Sequence, residues 1–334
     1  MLIWILVRKI LTKPLENILR TGRKIMSKAD VIFKDNVEQI LCMGNYEDHS
    51  LRWYPTRAMW ADTKLTACTA KAFGIVNEYD LREEFPAITF RKTGLKSCMD
   101  EILWIYQKKS NNIHDLKSHI WDSWADASGS IGKAYGYQIG QKYKHHKAHM
   151  DINGCYPDGT VFAKNGNPYV MLDQMDAVLY DLQHDPWSRR IMTNTYCFED
   201  LSEMGLYPCA YSTTWNVTKE DGYEKPVLNL LLNQRSNDYM VANNWNTAQY
   251  AILLMMVAQV CDMVPGRLTH VIADAHIYDR HREMIESMIR RPMYPAPKVS
   301  LDPSIKDFYK FTTDSLIVEN YQAGEQIKNI PVAV

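Results

Sequence analysis

Seven cysteines are scattered along the chain, at positions 42, 68, 98, 155, 197, 209 and 261. Their number is odd and no C-x-x-C pair occurs. That pattern argues against a disulfide framework or a zinc ribbon and points to a reducing, cytoplasmic compartment with no metal site. Cys209 is the candidate nucleophile. It lies in Tyr207-Pro208-Cys209-Ala210-Tyr211, where the proline fixes a turn at the mouth of a predicted strand. Arginines recur nearby in sequence, at 189, 190 and 235, and a guanidinium beside a thiol favours the thiolate. A buried structural thiol is the plain alternative. A cysteine hydrolase built on Cys209 and His276 is another, but no motif pairs those two residues, and arginines suit a phosphate better than a peptide.

Three further segments carry polar groups at useful spacings. Gln234-Arg235-Ser236-Asn237-Asp238 packs a cation, a hydroxyl and a carboxylate into five residues, and arginine with serine offers a phosphate a fork of donors plus a hydroxyl. Ser188-Arg189-Arg190 is a second cationic pair. Neighbours on a strand point to opposite faces, so both reaching one anion requires a bend or a subunit interface. Asp274, His276 and Tyr278 stand at alternate positions. On a strand they share a face and could hydrogen-bond a sugar hydroxyl.

The elements that must position these groups have the size of a substantial core. The chain has 334 residues, 46% hydrophobic and 23% charged, with a formal net charge of −1. That balance is ordinary for a globular protein and lacks the basic excess of a nucleic-acid binder, so no DNA partner is expected. Residues 98–107 put Met99, Ile102, Leu103 and Tyr106 on one helical face, with Glu101 beside it. Residues 141–169 are polar and turn-rich and read as a surface excursion, with helical spacing resuming at Met171. RIMTNTYCF, AYSTTWNVT, VLNLLLNQ and RLTHVIADAHI read as strands, with a hairpin signal at Asp221-Gly222. Residues 247–260 are apolar nearly all round, the pattern of a buried central helix. PKVSLDP and FTTDSLIVENY complete a β-rich tail. Strands and helices mix without regular βαβ alternation, which favours an α+β fold.

At the N-terminus, Leu2 to Val7 is apolar. It is too short to span a bilayer, which takes about 20 apolar residues, so no membrane span is expected. Residues 1–25 read as an extension, with Met26 a natural start and residues 26–334 a single catalytic domain.

Taken in order, these segments resemble the thymidylate synthase family. Pro186-Trp187-Ser188-Arg189-Arg190 is similar to P-x-S-R-R, Tyr207-Pro208-Cys209 to P-P-C, and Gln234 to Asp238 to Q-R-S-x-D. Trp245-Asn246-Thr247-Ala248 is similar to F-N-I-A, and Asp274 to Tyr278 matches D-x-H-x-Y. Upstream, Glu101-Ile102-Leu103-Trp104 is similar to E-L-L-W, Ile120-Trp121-Asp122-Ser123-Trp124 to I-W-D-x-W, and Tyr135-Gly136 to Y-G. The closing Pro331-Val332-Ala333-Val334 is very like the family's tail. The match covers about residues 50–334 and is nearest to the branch found in bacilli and their phages.

The resemblance implies a mixed sheet that packs on the central helix and forms a dimer interface. It implies reductive methylation of dUMP at C5 to dTMP, with 5,10-methylenetetrahydrofolate as one-carbon and hydride donor and no metal. Cys209 attacks C6, and Arg235 lowers the thiol pKa and holds the phosphate. Arg57, Ser236, and Arg189 with Arg190 from the partner subunit complete the phosphate cage. Asn246 reads the uracil edge, His276 and Tyr278 bind the deoxyribose hydroxyl, and Asp238 binds the pterin. Glu101 organises water for proton transfer, and Tyr135 helps remove the C5 proton. Trp121 and the tail, Ala333 and Val334, close over the folate. Several positions depart from the family pattern. Ala210 follows the nucleophile, Ala242 and Asn244 replace a glycine and a proline, Ala273 replaces another glycine, and Arg91 stands at the lysine near the polyglutamate tail. The alternative within the family is a hydroxymethylase of dUMP or, less readily given Asn246, of dCMP. A non-catalytic nucleotide- or RNA-binding relative is disfavoured, because every catalytic position is filled.

Overall fold

Alternation of small or β-branched residues dictates the main sheet. The structure, a computed structural model, describes residues 26–42, 52–151 and 153–334. The extension expected over residues 1–25 lies outside them. Helix α1 (Lys28–Cys42) precedes strands β1 (Tyr54–Met59) and β2 (Thr66–Asp80). Helix α2 (Leu95–Ile102) and the short α3 (Gly136–Ile139) follow. Next come β3 (Tyr143–Lys147), β4 (Val161–Phe162), β5 (Pro168–Leu172) and helix α4 (Gln174–His184). Strands β6 (Met192–Asn194), β7 (Ala210–Thr218) and β8 (Val227–Asp238) lead into helix α5 (Asn243–Val260). The chain closes with β9 (Val264–Tyr278), α6 (Arg282–Met288), β10 (Lys298–Leu301) and β11 (Leu316–Glu319).

Six strands form one mixed sheet in the order β1-β2-β9-β8-β7-β6. Every pairing is antiparallel except β8 with β9, which run parallel because α5 carries the chain across between them. This is the α+β architecture expected, with one βαβ unit at its centre. Helix α5 is the buried central helix: Ala248, Ala251 to Leu254, and Met256 to Ala258 are fully covered. It packs against β8, β9 and α2. Each buried leucine or isoleucine there contributes about 1.5–3 kcal/mol relative to exposure. Among the described residues, no helix is long and apolar enough to cross a membrane.

Three local features differ from the sequence reading. The helical face over 98–107 is not one helix. Helix α2 ends at Ile102 and the chain continues through a wider π turn, Leu103–Gln107, where Lys108 N–H reaches the Leu103 carbonyl. The wide turn buries Trp104 and Tyr106 and is the kind of local irregularity often found beside functional sites. The polar excursion at 141–169 contains most of a small three-stranded sheet, β3-β5-β4, and Met171 belongs to β5 rather than to a helix. Helix α4 starts only at Gln174, where the Asp173 carboxylate accepts the Asp176 N–H. Strands β1 and β2 were not anticipated at all. Residues 66–72 are mostly alanine and threonine, and the buried–exposed alternation changes phase at Thr69-Ala70 and again at Phe73-Gly74, so no single period-2 pattern runs through the strand.

The C-terminal residues lie along the free edge of β1. Val334 and Met59 exchange backbone hydrogen bonds of 2.9 and 2.8 Å, and Ala61 N–H donates to the Val332 carbonyl at 3.0 Å. This puts Ala333 and Val334 beside the strand that carries Arg57.

Candidate active site

Register brings the motifs to one end of the sheet. In the parallel pair, Ser236 lies opposite Asp274 and Asp238 opposite His276. In the antiparallel pair, Ala210 lies opposite Gln234, and Arg235 N–H donates to the Cys209 carbonyl at 2.9 Å. A bulge between Ala210 and Ser212 bends the start of β7, the usual way a strand re-aims a side chain.

Cys209 is half-buried, and Arg235 Nη2 is 3.6 Å from its Sγ. The guanidinium is held in place by the Pro208 carbonyl (Nε, 3.0 Å) and the Tyr207 carbonyl (Nη2, 2.7 Å). Burial pushes the thiol pKa up and Arg235 offsets that only in part. The lowered thiol pKa expected from the arginine is therefore not reached, because desolvation outweighs the one charge in contact. Cys209 N–H donates to Tyr135 Oη at 2.9 Å. Tyr135 has a φ of +42°, a conformation that costs about 1–3 kcal/mol for a non-glycine residue and concentrates at functional sites.

Glu101 lies under this corner, 5% exposed. Its Oε1 accepts Trp121 Nε1–H at 3.0 Å and its Oε2 accepts Trp245 Nε1–H at 2.7 Å. Burial raises its pKa to about 7, against the pull of the two indoles. Asn246, one residue past Trp245, sits in a chain of amides. Buried His270 donates Nε2–H to Gln234 Oε1 at 2.7 Å, and Gln234 Nε2 donates to Asn246 Oδ1 at 3.0 Å. Asn246 Nδ2 then donates to Gln249 Oε1 at 2.9 Å. Burial lowers the His270 pKa to about 3, so its ring is neutral at physiological pH and sets the direction of the chain.

On β8 and β9, Asp238 Oδ1 accepts the N–H groups of Met240 and Val241. Burial pushes its carboxyl up, but His281 and His276 with these backbone donors hold it below the usual range. Asp238 Oδ2 pairs with His281 Nδ1 at 3.7 Å. His276 Nδ1 pairs with Asp274 Oδ1 at 2.9 Å, and Lys71 pairs with Asp274 at 3.2 Å. Tyr278 packs edge-on against His276, His281 and Trp60, and burial lifts its hydroxyl pKa to about 12. Among the described residues, no group of three or more histidines, cysteines or carboxylates is placed to hold a metal ion.

The thymidylate synthase family model matches residues 31–334. The chain belongs to the thymidylate synthase family. The thymidylate synthase of Bacillus licheniformis is 33% identical over 305 residues, spanning 90% of this chain and 98% of the relative. That of Bacillus phage phi3T is 31% identical over the same shares. Among solved structures, the thermostable thymidylate synthase A of Bacillus subtilis superposes with a TM-score of 0.74 at 31% identity, covering 92% of this chain and 99% of that one. The family's members are folate-dependent methyltransferases.

Placed on this fold, the family motifs divide. The bonds above join Cys209 to Tyr135 and Arg235, Glu101 to Trp121 and Trp245, and Asn246 to two glutamines, and the Trp121 ring packs edge-on against Tyr135 at 5.2 Å. Arg57, Arg189 and Arg190 are exposed and have no ion-pair partner among the described residues. Ser236 is half-buried beside Asp274. Arg91, expected at the place of the family's polyglutamate-site lysine, is 6% exposed. Its guanidinium donates to the Met240 carbonyl and to Asn244 Oδ1, while Asn244 Nδ2 donates to Thr93 Oγ1. The Asn244 departure is thus compensated by Arg91 and Thr93, and Lys92 is the exposed cation of the pair.

Sequence reasoning gave no role to Gln234, Gln249, His270, Trp245 or His281. His281 is 1% exposed and donates Nε2–H to the Pro331 carbonyl at 2.8 Å, tying the C-terminal segment to the neighbourhood of Asp238. Its place three residues past Tyr278, across from a carboxylate motif, was the only available signal.

Proposed function

We propose that the chain catalyses reductive methylation of dUMP at C5 to give dTMP, with Cys209 as nucleophile. The observation that carries this reading is the Cys209–Arg235 contact at 3.6 Å, at the sheet end shared with Asp238 and His276. Loss of the thiol proton lets Sγ bond to C6 of the pyrimidine, which moves the C5–C6 electron pair onto C5 and O4. Arg235 stabilises the thiolate. Asn246, held by Gln234 and Gln249, presents an amide that can accept from N3–H and donate to O4. Glu101 and Tyr135 serve proton movement at O4 and C5. His276 and Tyr278 hold the deoxyribose hydroxyl.

5,10-Methylenetetrahydrofolate supplies the one-carbon unit and then a hydride. The residues present fit a pterin. Asp238 is half-buried and ionised, and its Oδ2, paired with His281 at 3.7 Å, keeps lone-pair capacity to accept a ring N–H. Trp121, with Ala333 and Val334 at the edge of β1, would line the folate and exclude water.

Two observations support a homodimer. On the outer face of the sheet, Phe73 is 88% and Val76 57% exposed on β2. Apolar groups of that size in one strand suit a protein interface. Arg189 and Arg190 have no ion-pair partner among the described residues, which suits their donation to the phosphate of a second subunit. Residues 26–334 would act as one catalytic domain.

The test is incubation with dUMP and methylenetetrahydrofolate, following the dihydrofolate absorbance and weighing the nucleotide product. Dihydrofolate with dTMP is the expected result. Hydroxymethyl-dUMP without dihydrofolate would move the assignment to the hydroxymethylase, and no product would overturn both.

A further inference from the structure

Glu101 has an arrangement the family motif does not provide. One indole N–H serves each carboxylate oxygen, Trp121 on Oε1 at 3.0 Å and Trp245 on Oε2 at 2.7 Å. Trp121 comes from the I-W-D-x-W segment. Trp245 comes from the first turn of α5, at the position where F-N-I-A has phenylalanine. A phenylalanine has no donor there. The shorter of the two bonds therefore exists because of this one replacement.

We propose that Trp245 is a positioning residue for Glu101: its indole N–H fixes the plane of the carboxylate and favours the ionised form. The inference rests on the proposed role of Glu101 in proton transfer. In a buried site, an ion with an unpaired oxygen is costly, and a neutral N–H donor to it is worth more than the same bond in water. Trp245 also precedes Asn246, so one helical turn places both the carboxylate's donor and the amide proposed to face the pyrimidine. The other titratable groups around Glu101 do not compete for its proton. Asp100 is its neighbour on α2, and its carboxylate is engaged by the Lys117 N–H at 2.8 Å. Cys98, Tyr135 and Tyr250 are all held neutral by burial. With burial opposing ionisation of Glu101, the two indoles are its largest counterweights.

The experiment uses the full chain and reads the carboxyl directly. Glutamate-labelled protein is titrated by carbon NMR, with Glu101→Gln identifying the signal. In Trp245→Phe the Glu101 midpoint is expected to rise by about one pH unit, a tenfold change in proton affinity, and the Glu101-dependent limb of the rate profile should move with it. An unchanged midpoint in folded Trp245→Phe overturns the inference. A second measurement needs no change at position 245. In wild type the indole nitrogen–proton resonance of Trp245 should shift as Glu101 ionises, and that shift should vanish in Glu101→Gln. A resonance that ignores the titration also overturns it. A chain with the expected titration but no dTMP formation would refute the proposed function and leave the Trp245 bond standing. Full activity with an unmoved midpoint would do the reverse.

Discussion

Around Cys209 nearly every polar side chain has a partner in its own chain, whereas the three arginines expected to complete the phosphate cage beside Arg235 have no ion-pair partner among the described residues. Arg235 is fixed by two carbonyls, Asn246 by two glutamines and Glu101 by two indoles. Arg57, Arg189 and Arg190 are exposed. The difference separates two physical tasks. Covalent chemistry needs groups held before substrate arrives, because reorganisation during the reaction is paid in rate. Anion capture tolerates long, solvated side chains that close on the phosphate, and it can be shared between subunits.

Cys209→Ser should break the first half most severely. Turnover should fall about 10⁴-fold or more, while calorimetry still detects dUMP binding; activity within tenfold of wild type would remove the covalent mechanism. Replacing Arg189 and Arg190 together by alanine should lower kcat/KM for dUMP about 100-fold, the scale of a lost charge-assisted contact. Mixing that double variant with Cys209→Ser should restore activity, since a hybrid dimer would contain one site with both an intact cysteine and donated arginines. No recovery on mixing would place the arginines outside the partner's site. Asn246→Asp should cost about 100-fold or less on dUMP and raise use of dCMP, because a carboxylate cannot donate to O4 yet can accept from a 4-amino group. Steady-state kinetics with both nucleotides would read the switch.

The smallest effect is on stability. Folded Glu101 has its pKa raised to about 7 from an unfolded value near 4.5. The folded state therefore binds the proton more tightly, and the stability this confers is present below about pH 4.5 and lost as pH rises to 7. Glu101→Gln should remove that slope. Its melting temperature relative to wild type should rise by about 2–4 °C between pH 5 and pH 8, provided the glutamine keeps one indole bond.

Much of this was legible in the sequence, for reasons that differ by element. Helix α5 and strands β7 to β9 are long, apolar and periodic, so their existence and type follow from pattern alone. The motif residues were found because each is a rare cluster of donors and charges. Strand β2 was missed because its alternation changes phase at Thr69-Ala70 and at Phe73-Gly74, and its burial is decided by partners far away in sequence. The net rise in the Cys209 pKa was not legible either. The sequence displays the arginines but not the desolvation that competes with them. His270 and Gln234 have ordinary local surroundings and gain their roles only when β8 and β9 lie side by side.

That pairing has a consequence for synthesis of the chain. Strand β2 is hydrogen-bonded over its length to β9, from Thr69 opposite Tyr278 to Asp80 opposite Arg267. Helices α2 to α5 and three of the four other strands of the main sheet, β6, β7 and β8, are made in between. Until β9 emerges, β2 has only β1 beside it and presents an open edge bearing Phe73 and Val76 to whatever is nearby. Contacts of such high sequence separation form slowly. The nascent chain thus carries β2 with one edge unpaired until β9 is made, the kind of exposed strand edge that invites pairing with other chains.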